Sequence, residues 1–206
     1  VIWPSGKQEI KKDIAANTTV IFNEAEALPV GYSGGATMPL VAEAATNMGL
    51  DFIHKENDYN DFTLEVLLPY KQSTMGPFIA KADINGDGLE DVFVGGAAGQ
   101  PGYVFKQSEV GFVRVRNPLL TQDAASEDLQ AVFFDADGDN DQDLYVVSGG
   151  NAFPEGSKKY VDRLYLNDGS GYFTKSETSG LDAFAHSGQA VAALDFDKDG
   201  DVDIMV

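Results

Sequence analysis

The hydrophobic pattern of the chain changes character near residue 77. Beyond this point, short alternating or wholly apolar runs recur, separated by stretches rich in aspartate and glycine. Such runs lie directly before three aspartate-rich stretches, at 78–82, 130–134 and 189–194. β-Branched and aromatic residues follow each stretch, as in Asp-Val-Phe-Val at 91–94. This composition is typical of strands, so each aspartate-rich stretch is predicted to be a loop between two β-strands.

Two further strands are predicted after each of the first two strand pairs. The first couple is 103–107 with 112–115, and the second is 163–166 with 172–174. A polar turn joins the members of each couple, and the second turn, Asn-Asp-Gly-Ser-Gly, contains residues that readily adopt positive φ. Each complete repeat is therefore expected to contain four short strands.

The repeat length indicates the architecture. The aspartate-rich stretches begin at residues 83, 135 and 195, intervals of 52 and 60 residues. Four short strands in a period of about 50 residues describe one blade of a β-propeller. The sequence therefore predicts an all-β fold, a partial β-propeller of about three four-stranded blades, preceded by a small β-module remnant. At most one short helix, near 42–48, is expected before the blades.

Aspartate is concentrated in the predicted loops. Of the 22 aspartates, 13 lie in three nine-residue blocks that begin at Asp83, Asp135 and Asp195. So many carboxylates in short loops raise one another's pKa and strain the fold unless a cation neutralises them. Each block has Asp or Asn at positions 1, 3 and 5 and Asp at position 9. Alternating oxygens of this kind suit Ca²⁺, whereas Mg²⁺ demands a stricter octahedron, and the absence of Cys argues against zinc or copper.

The sixth position of each block is predicted to adopt positive φ, because it is Gly88, Asn140 or Gly200. An EF-hand loop begins in the same way, but its twelfth residue is a bidentate glutamate on a helix. Here the twelfth residues are Val94, Val146 and Val206. The blocks are therefore predicted to lead into strands rather than helices.

The loops and their flanks resemble a known family. The pattern Asp-x-Asp/Asn-x-Asp-Gly-x-x-Asp between strands, with Leu-Tyr-Leu-Asn-Asp-Gly-Ser-Gly-Tyr-Phe at 164–173, resembles FG-GAP/VCBS repeats, the calcium-loop blades also found in integrin α-subunit propellers. The resemblance covers about residues 46–206 and implies about three bound Ca²⁺ ions, held mainly for structure. The ligands it implies are Asp83, Asn85, Asp87, the Leu89 carbonyl and Asp91; Asp135, Asp137, Asp139, the Asp141 carbonyl and Asp143; and Asp195, Asp197, Asp199, the Asp201 carbonyl and Asp203. Asn85 replaces one charge with a neutral oxygen and is expected to weaken the first site.

The first part of the chain resembles other modules. Residues 1–8 and 17–24 resemble the closing third of an ASPIC/UnbV domain, and 50–77 looks like the linker before a second propeller in large surface proteins of Bacteroidetes-type bacteria. We therefore expect the end of an ASPIC/UnbV-like β module at 1–28, a linker and propeller entry at 29–76, and repeat blades at 77–206. Because the repeats do not complete a ring and both ends look cut, a longer protein is expected.

The composition of the chain argues against several classes of function. A formal net charge of −19 argues against nucleic acid as a partner, because phosphate binding depends on Lys and Arg. No apolar run approaches the roughly 18 residues of a membrane helix, so neither an anchoring segment nor direct membrane insertion is expected. Zero cysteines exclude disulfides and thiolate chemistry.

No catalytic residue is expected. A glycosidase would need a pair of free carboxylates, and acids committed to a cation cannot also transfer protons. His54 and His186 are isolated, and a lone histidine is more often a packed or hydrogen-bonded residue than a base or ligand.

The expected function is a calcium-binding, non-enzymatic binding or scaffold module of a larger cell-surface protein, at the extracellular or outer-membrane surface. Its expected partner is a protein or a glycan, including a TonB-dependent nutrient-uptake complex. The alternative is an accessory part of a secreted polysaccharide-processing enzyme.

Overall fold

The computed structural model describes residues 1–30, 42–177 and 180–206 of the chain. The chain divides into two compact units, Val1–Ala42 and Glu43–Val206. In the first unit, the strands β1 (Lys7–Gln8) and β2 (Leu28–Pro29) pair antiparallel. The second unit carries the three aspartate-rich loops, and the predicted all-β fold is confirmed.

Two four-stranded antiparallel sheets form the larger part of the second unit. The strands of the first blade are, in order across the sheet, β3 (Ile79–Ala82), β4 (Asp91–Val94), β5 (Tyr103–Ser108) and β6 (Gly111–Val115). Those of the second blade are, in order, β7 (Asp128–Phe134), β8 (Asp143–Ser148), β9 (Arg163–Leu166) and β10 (Thr174–Lys175). A third sheet has two strands, β11 (Ala192–Leu194) and β12 (Asp203–Met205), and none of the described sheets closes on itself. The strand–loop–strand repeat predicted from the hydrophobic pattern is present in all three.

Helical structure in the described residues is brief. The one α-helix, α1 (Pro118–Gln122), follows Asn117, whose side chain accepts a hydrogen bond from the Leu119 N–H at 3.0 Å. The pattern of hydrophobic residues does not predict this helix, although an N-cap asparagine followed by proline at the first helical position is a helix-start signal. Residues 45–49 form a turn, in which the Met48 N–H donates to the Ala44 carbonyl at 2.9 Å. Three 3-10 turns complete the set, at Asp61–Thr63, Lys158–Tyr160 and Leu181–Ala183.

Strand β8 lies at the centre of the second unit because both of its faces are covered. Side chains alternate between the faces of a strand. Leu144 and Val146 belong to the core cluster shared with the first blade, whereas Tyr145 and Val147 belong to a second cluster that includes Val191. Every residue of β8 is buried as a result. This two-sided packing stacks consecutive sheets face to face, as blades stack.

No helix among the described residues is long and apolar enough to cross a membrane.

Candidate metal centre

Each aspartate-rich loop joins the first two strands of its sheet. The first loop connects β3 to β4, the second connects β7 to β8, and the third connects β11 to β12. The sixth residue of each loop has positive φ, at 83° for Gly88, 71° for Asn140 and 101° for Gly200. The predicted sharp turn at this position is confirmed, including its occurrence at the non-glycine Asn140.

The first aspartate of each loop binds the backbone of its own loop. The carboxylate of Asp135 accepts hydrogen bonds from the N–H groups of Gly138 at 2.7 Å, Asp139 at 3.2 Å and Asn140 at 3.0 Å. Asp83 does the same in the first loop, where the N–H of Gly88, at 2.7 Å, contributes most to lowering the pKa of this aspartate. These bonds fold the two loops around the carboxylate, and in the first loop they favour its ionised form.

The ninth aspartate of each loop is tied to the loop backbone. Asp91, Asp143 and Asp203 accept hydrogen bonds from the N–H of the second loop residue at 3.1, 2.8 and 2.8 Å, respectively. The residues that donate these bonds are Ile84, Ala136 and Phe196.

In the first two blades, the ninth aspartate also binds the third strand of the sheet or the residue directly after it. The other oxygen of Asp91 accepts from the Gln107 N–H at 2.7 Å, and that of Asp143 accepts from the Asn167 N–H at 2.8 Å. Both aspartates are buried, and burial raises their pKa. The sequence predicted these residues as ligands but did not reveal this bridge. The signal for it was an aspartate at the first position of an otherwise apolar, buried strand.

Two loops gather three carboxylates each. The acids Asp135, Asp137 and Asp143 place carboxylate oxygens within 4.8 Å of one another, and Asp195, Asp197 and Asp203 do the same. These are positions 1, 3 and 9 of the second and third loops. A donor set made of carboxylate oxygens fits a hard divalent cation such as Ca²⁺.

The remaining acids of the second loop strengthen the case for a cation. The Oδ1 atom of Asp141 is buried and lacks a hydrogen-bond partner among the described residues. Burial, followed by the charges of Asp139 and Asp143, raises the pKa of Asp141 to about 6. A cation among these carboxylates would relieve their mutual repulsion, so the residues present fit the predicted ion.

The first loop differs from the other two. Its third position is Asn85, whose side-chain amide donates to Asp87 Oδ2 at 2.9 Å. In the part of the chain that the structure describes, this loop contains no group of three acids with oxygens within 4.8 Å. This hydrogen bond uses the Oδ2 atom of Asp87, which is an expected ligand of the cation. The weaker binding expected at the first site stays a prediction.

The fifth and seventh positions are linked within every loop. The carboxylates of Asp87, Asp139 and Asp199 accept hydrogen bonds from the backbone N–H two residues later, at 2.8, 3.0 and 3.2 Å. The donors are Leu89, Asp141 and Asp201. Ligation by the fifth-position carboxylates and by the carbonyls of these donor residues stays a prediction.

The two histidines lie apart from the aspartate-rich loops in sequence. His54 Nε2 lies 2.7 Å from Glu56 Oε1, so His54 has the hydrogen-bonded environment expected of a structural histidine. His186 is exposed and lies in the segment between Leu181–Ala183 and β11.

Comparison with known families identifies the repeats. The model of the FG-GAP-like repeat matches the chain twice, at residues 83–146 and 135–206. Each match begins at the first aspartate of a loop, and together they cover more than half of the chain. No curated protein matches the sequence. Together with the repeated strand–loop–strand geometry, these matches show that the chain belongs to the FG-GAP-like repeat family.

Proposed function

We propose that this chain is a calcium-binding β-propeller module whose aspartate-rich loops each bind one Ca²⁺ ion, about three in all. The observation that carries the proposal is the pair of three-carboxylate groups, which occupy the same loop positions in consecutive repeats. One such group can arise by chance on an acidic surface. Its recurrence in register with the family repeat points to a common ligand.

Calcium is the ion that these loops favour. The implied ligands are oxygens, and the loops combine exposed carboxylates with backbone carbonyls, as flexible calcium sites do. Asn85 makes the first site the weakest of the three. The third-position aspartates Asp137 and Asp197 are exposed, which leaves them accessible to an ion from solution.

The role of the ions is structural. The ninth aspartate ties its loop to the backbone and, in the first two blades, also to the third strand or the residue directly after it. An ion at the loop would fix this carboxylate, so its binding free energy would add to the stability of the blade.

The wider role we propose is a non-enzymatic binding or scaffold module of a larger protein at the extracellular or outer-membrane surface. FG-GAP repeats are generally non-catalytic and typical of extracellular proteins, which supports this choice. The proposed partner is a protein or a glycan at the cell surface, and a TonB-dependent nutrient-uptake complex is one candidate setting. We also propose that the blades are VCBS-type repeats. Residues 1–28 are proposed to be the end of an ASPIC/UnbV-like domain.

An accessory role in a secreted polysaccharide-processing enzyme is the second candidate, favoured by the loop-bearing surface that the blades present. A glycan panel separates the two roles. Binding without turnover supports the module, whereas hydrolysis that persists when the loop aspartates are substituted supports the enzyme part.

Calcium counting tests the metal proposal. Equilibrium dialysis against calcium should show one ion fewer for Asp137→Ala and one fewer for Asp197→Ala, because alanine leaves no side-chain oxygen at the third position. Asp182→Ala is a matched control, because Asp182 is exposed and lies outside the loops. Unchanged stoichiometry in both loop variants would overturn the proposed ligands.

A further inference from the structure

A buried glutamate, Glu127, lies at the opposite end of the second blade from its aspartate-rich loop. Glu127 immediately precedes β7, and the Gly149 N–H, just after β8, donates to the Glu127 carbonyl at 3.1 Å. The loop 135–142 joins the other ends of these two strands. A six-residue strand separates the two ends by about 20 Å, so Glu127 and the loop belong to different sites.

The carboxylate of Glu127 has no hydrogen-bond partner. The residue is 1% exposed, and neither Oε1 nor Oε2 meets a donor among the described residues. The carboxylate lies against the backbone of Gly150, where a Cβ atom would collide with Oε2. Burying a carboxylate without a partner is costly, so a native structure with this arrangement needs a compensating group.

The neighbours of Glu127 are acids rather than bases. Burial, followed by the charges of Glu56, Asp128 and Asp61, raises the pKa of Glu127 to about 7. Two of these neighbours already have partners. Asp128 pairs with Arg163 at 2.6 Å, and Asp61 accepts from Ser73 Oγ at 2.6 Å.

The segment of Glu56 lies beside that of Glu127, because a Cβ atom at Gly76 would lie 3.4 Å from His54 Cε1 and 3.7 Å from the Asp128 carbonyl oxygen. The carboxylate of Glu56 has an unpaired oxygen. One of its oxygens, Oε1, faces His54 Nε2 at 2.7 Å, whereas Oε2 is buried without a donor. The adjacent Asn57 Oδ1 and the His54 Nδ1 are also buried and unpartnered within the described residues. Five of the six unpartnered buried side-chain atoms in the described chain therefore belong to Glu127 and the short segment 54–57.

We propose that a hard divalent cation binds between Glu127 and Glu56, with the side-chain oxygen of Asn57 as a further ligand. The unpartnered atoms of these three residues are all oxygens, the donor type that Ca²⁺ and Mn²⁺ prefer. Arg163 does not neutralise Glu127, because its guanidinium pairs with Asp128 inside the blade. The cation would join the segment before the first blade to the start of the second blade.

A proton shared between Glu127 and Glu56 is the competing explanation, and the isosteric variant Glu127→Gln separates the two. If a cation binds, the variant should lose one ion per chain in equilibrium dialysis against calcium or manganese. It should also melt higher than the wild type in chelator, because a buried charge is gone, and lower than the wild type at saturating ion. An unchanged ion count, with a melting temperature equal to or above that of the wild type in both conditions, would overturn the proposal.

Variants of the aspartate-rich loop distinguish an ion bound at Glu127 from the ion bound at the loop. Asp137→Ala removes a ligand from the aspartate-rich loop at the other end of the strand, so the double variant with Glu127→Gln should lose two ions, since distant sites act independently. Loss of an ion in Asp137→Ala but not in Glu127→Gln rejects the Glu127 site alone, and the reverse rejects the loop ligands alone. If Glu127→Gln does not fold, the more exposed Glu56→Gln serves in its place, with the same expected loss of one ion.

Discussion

The side-chain amide of Asn167 donates a hydrogen bond to the backbone carbonyl of Ile84, 2.8 Å away. Ile84 is the second residue of the first aspartate-rich loop, and Asn167 lies in the β9–β10 turn of the second blade. The N–H of Asn167 also donates to Asp143 of the second loop at 2.8 Å. Asn167 therefore connects the aspartate-rich loops of two blades, through its side chain to the first loop and through its backbone to the second.

Removal of this connection should weaken the packing of one blade on the other. Asn167→Ala leaves the buried Ile84 carbonyl without this donor, and a buried unsatisfied group costs about 1–3 kcal/mol. The free energy of unfolding in urea should fall by that amount. Asn60→Ala is the control, because Asn60 is exposed and its side chain makes no capping bond. Equal stability of the two variants would contradict an interblade role for Asn167.

The third and ninth positions of a loop should respond differently to the loss of charge. Asp143→Asn should destabilise the chain even in chelator, by about 1–3 kcal/mol, because each Asp143 oxygen binds one N–H group, of Ala136 or of Asn167, and the amide NH2 would face one of them as a second donor. The Asp137 side chain makes no hydrogen bond with the described residues, so Asp137→Asn should cost stability only when calcium is present. Urea unfolding of both variants, with and without calcium, measures the difference. If both variants lose stability only in calcium, the third and ninth positions do not have the different roles proposed here.

Calcium removal should lower the melting temperature of the wild-type chain by several degrees, because a ligand that binds only the folded state stabilises it by mass action. The double variant Asp137→Asn/Asp197→Asn should show a smaller shift, since two ligand sets are already impaired. Differential scanning calorimetry in calcium and in chelator gives both values. A wild-type melt that is the same in the two solutions would exclude structural ions.

The fourth position of the third loop contains a strained backbone. Lys198 has a φ of 69°, whereas the equivalent Gly86 and Gly138 have values of 72° and 83°. Left-handed backbone costs a non-glycine residue roughly 1–2 kcal/mol. Lys198→Gly removes this strain but also frees the unfolded chain, so we expect a net stabilisation of up to about 1 kcal/mol. The reverse change, Gly138→Lys, should destabilise, and a neutral result for both would show that the loops relax freely.

Local features of this fold could be predicted from the sequence. Alternating apolar runs defined the strands around each loop, and Gly88, Asn140 and Gly200 marked the turns with positive φ. These signals are readable because strand periodicity and turn chemistry depend on neighbouring residues.

The tertiary contacts of the site could not be predicted in the same way. The pair Asn167 and Ile84 is separated by 83 residues, and the segments of Glu56 and Glu127 lie side by side only in the folded chain, around Gly76. An asparagine in a turn and a glutamate before a strand are both common in sequences, so neither residue predicts such a contact. Their roles arise from stacking of the blades, which a repeat pattern implies but does not specify atom by atom.

Anomalous diffraction at a wavelength sensitive to calcium is the most direct test of metal binding by the loops. Crystals grown with millimolar calcium should give strong anomalous peaks between Asp135, Asp137 and Asp143 and between Asp195, Asp197 and Asp203, with a weaker peak at the first loop. Maps without anomalous signal at all three loops would contradict the proposal that these aspartates bind calcium.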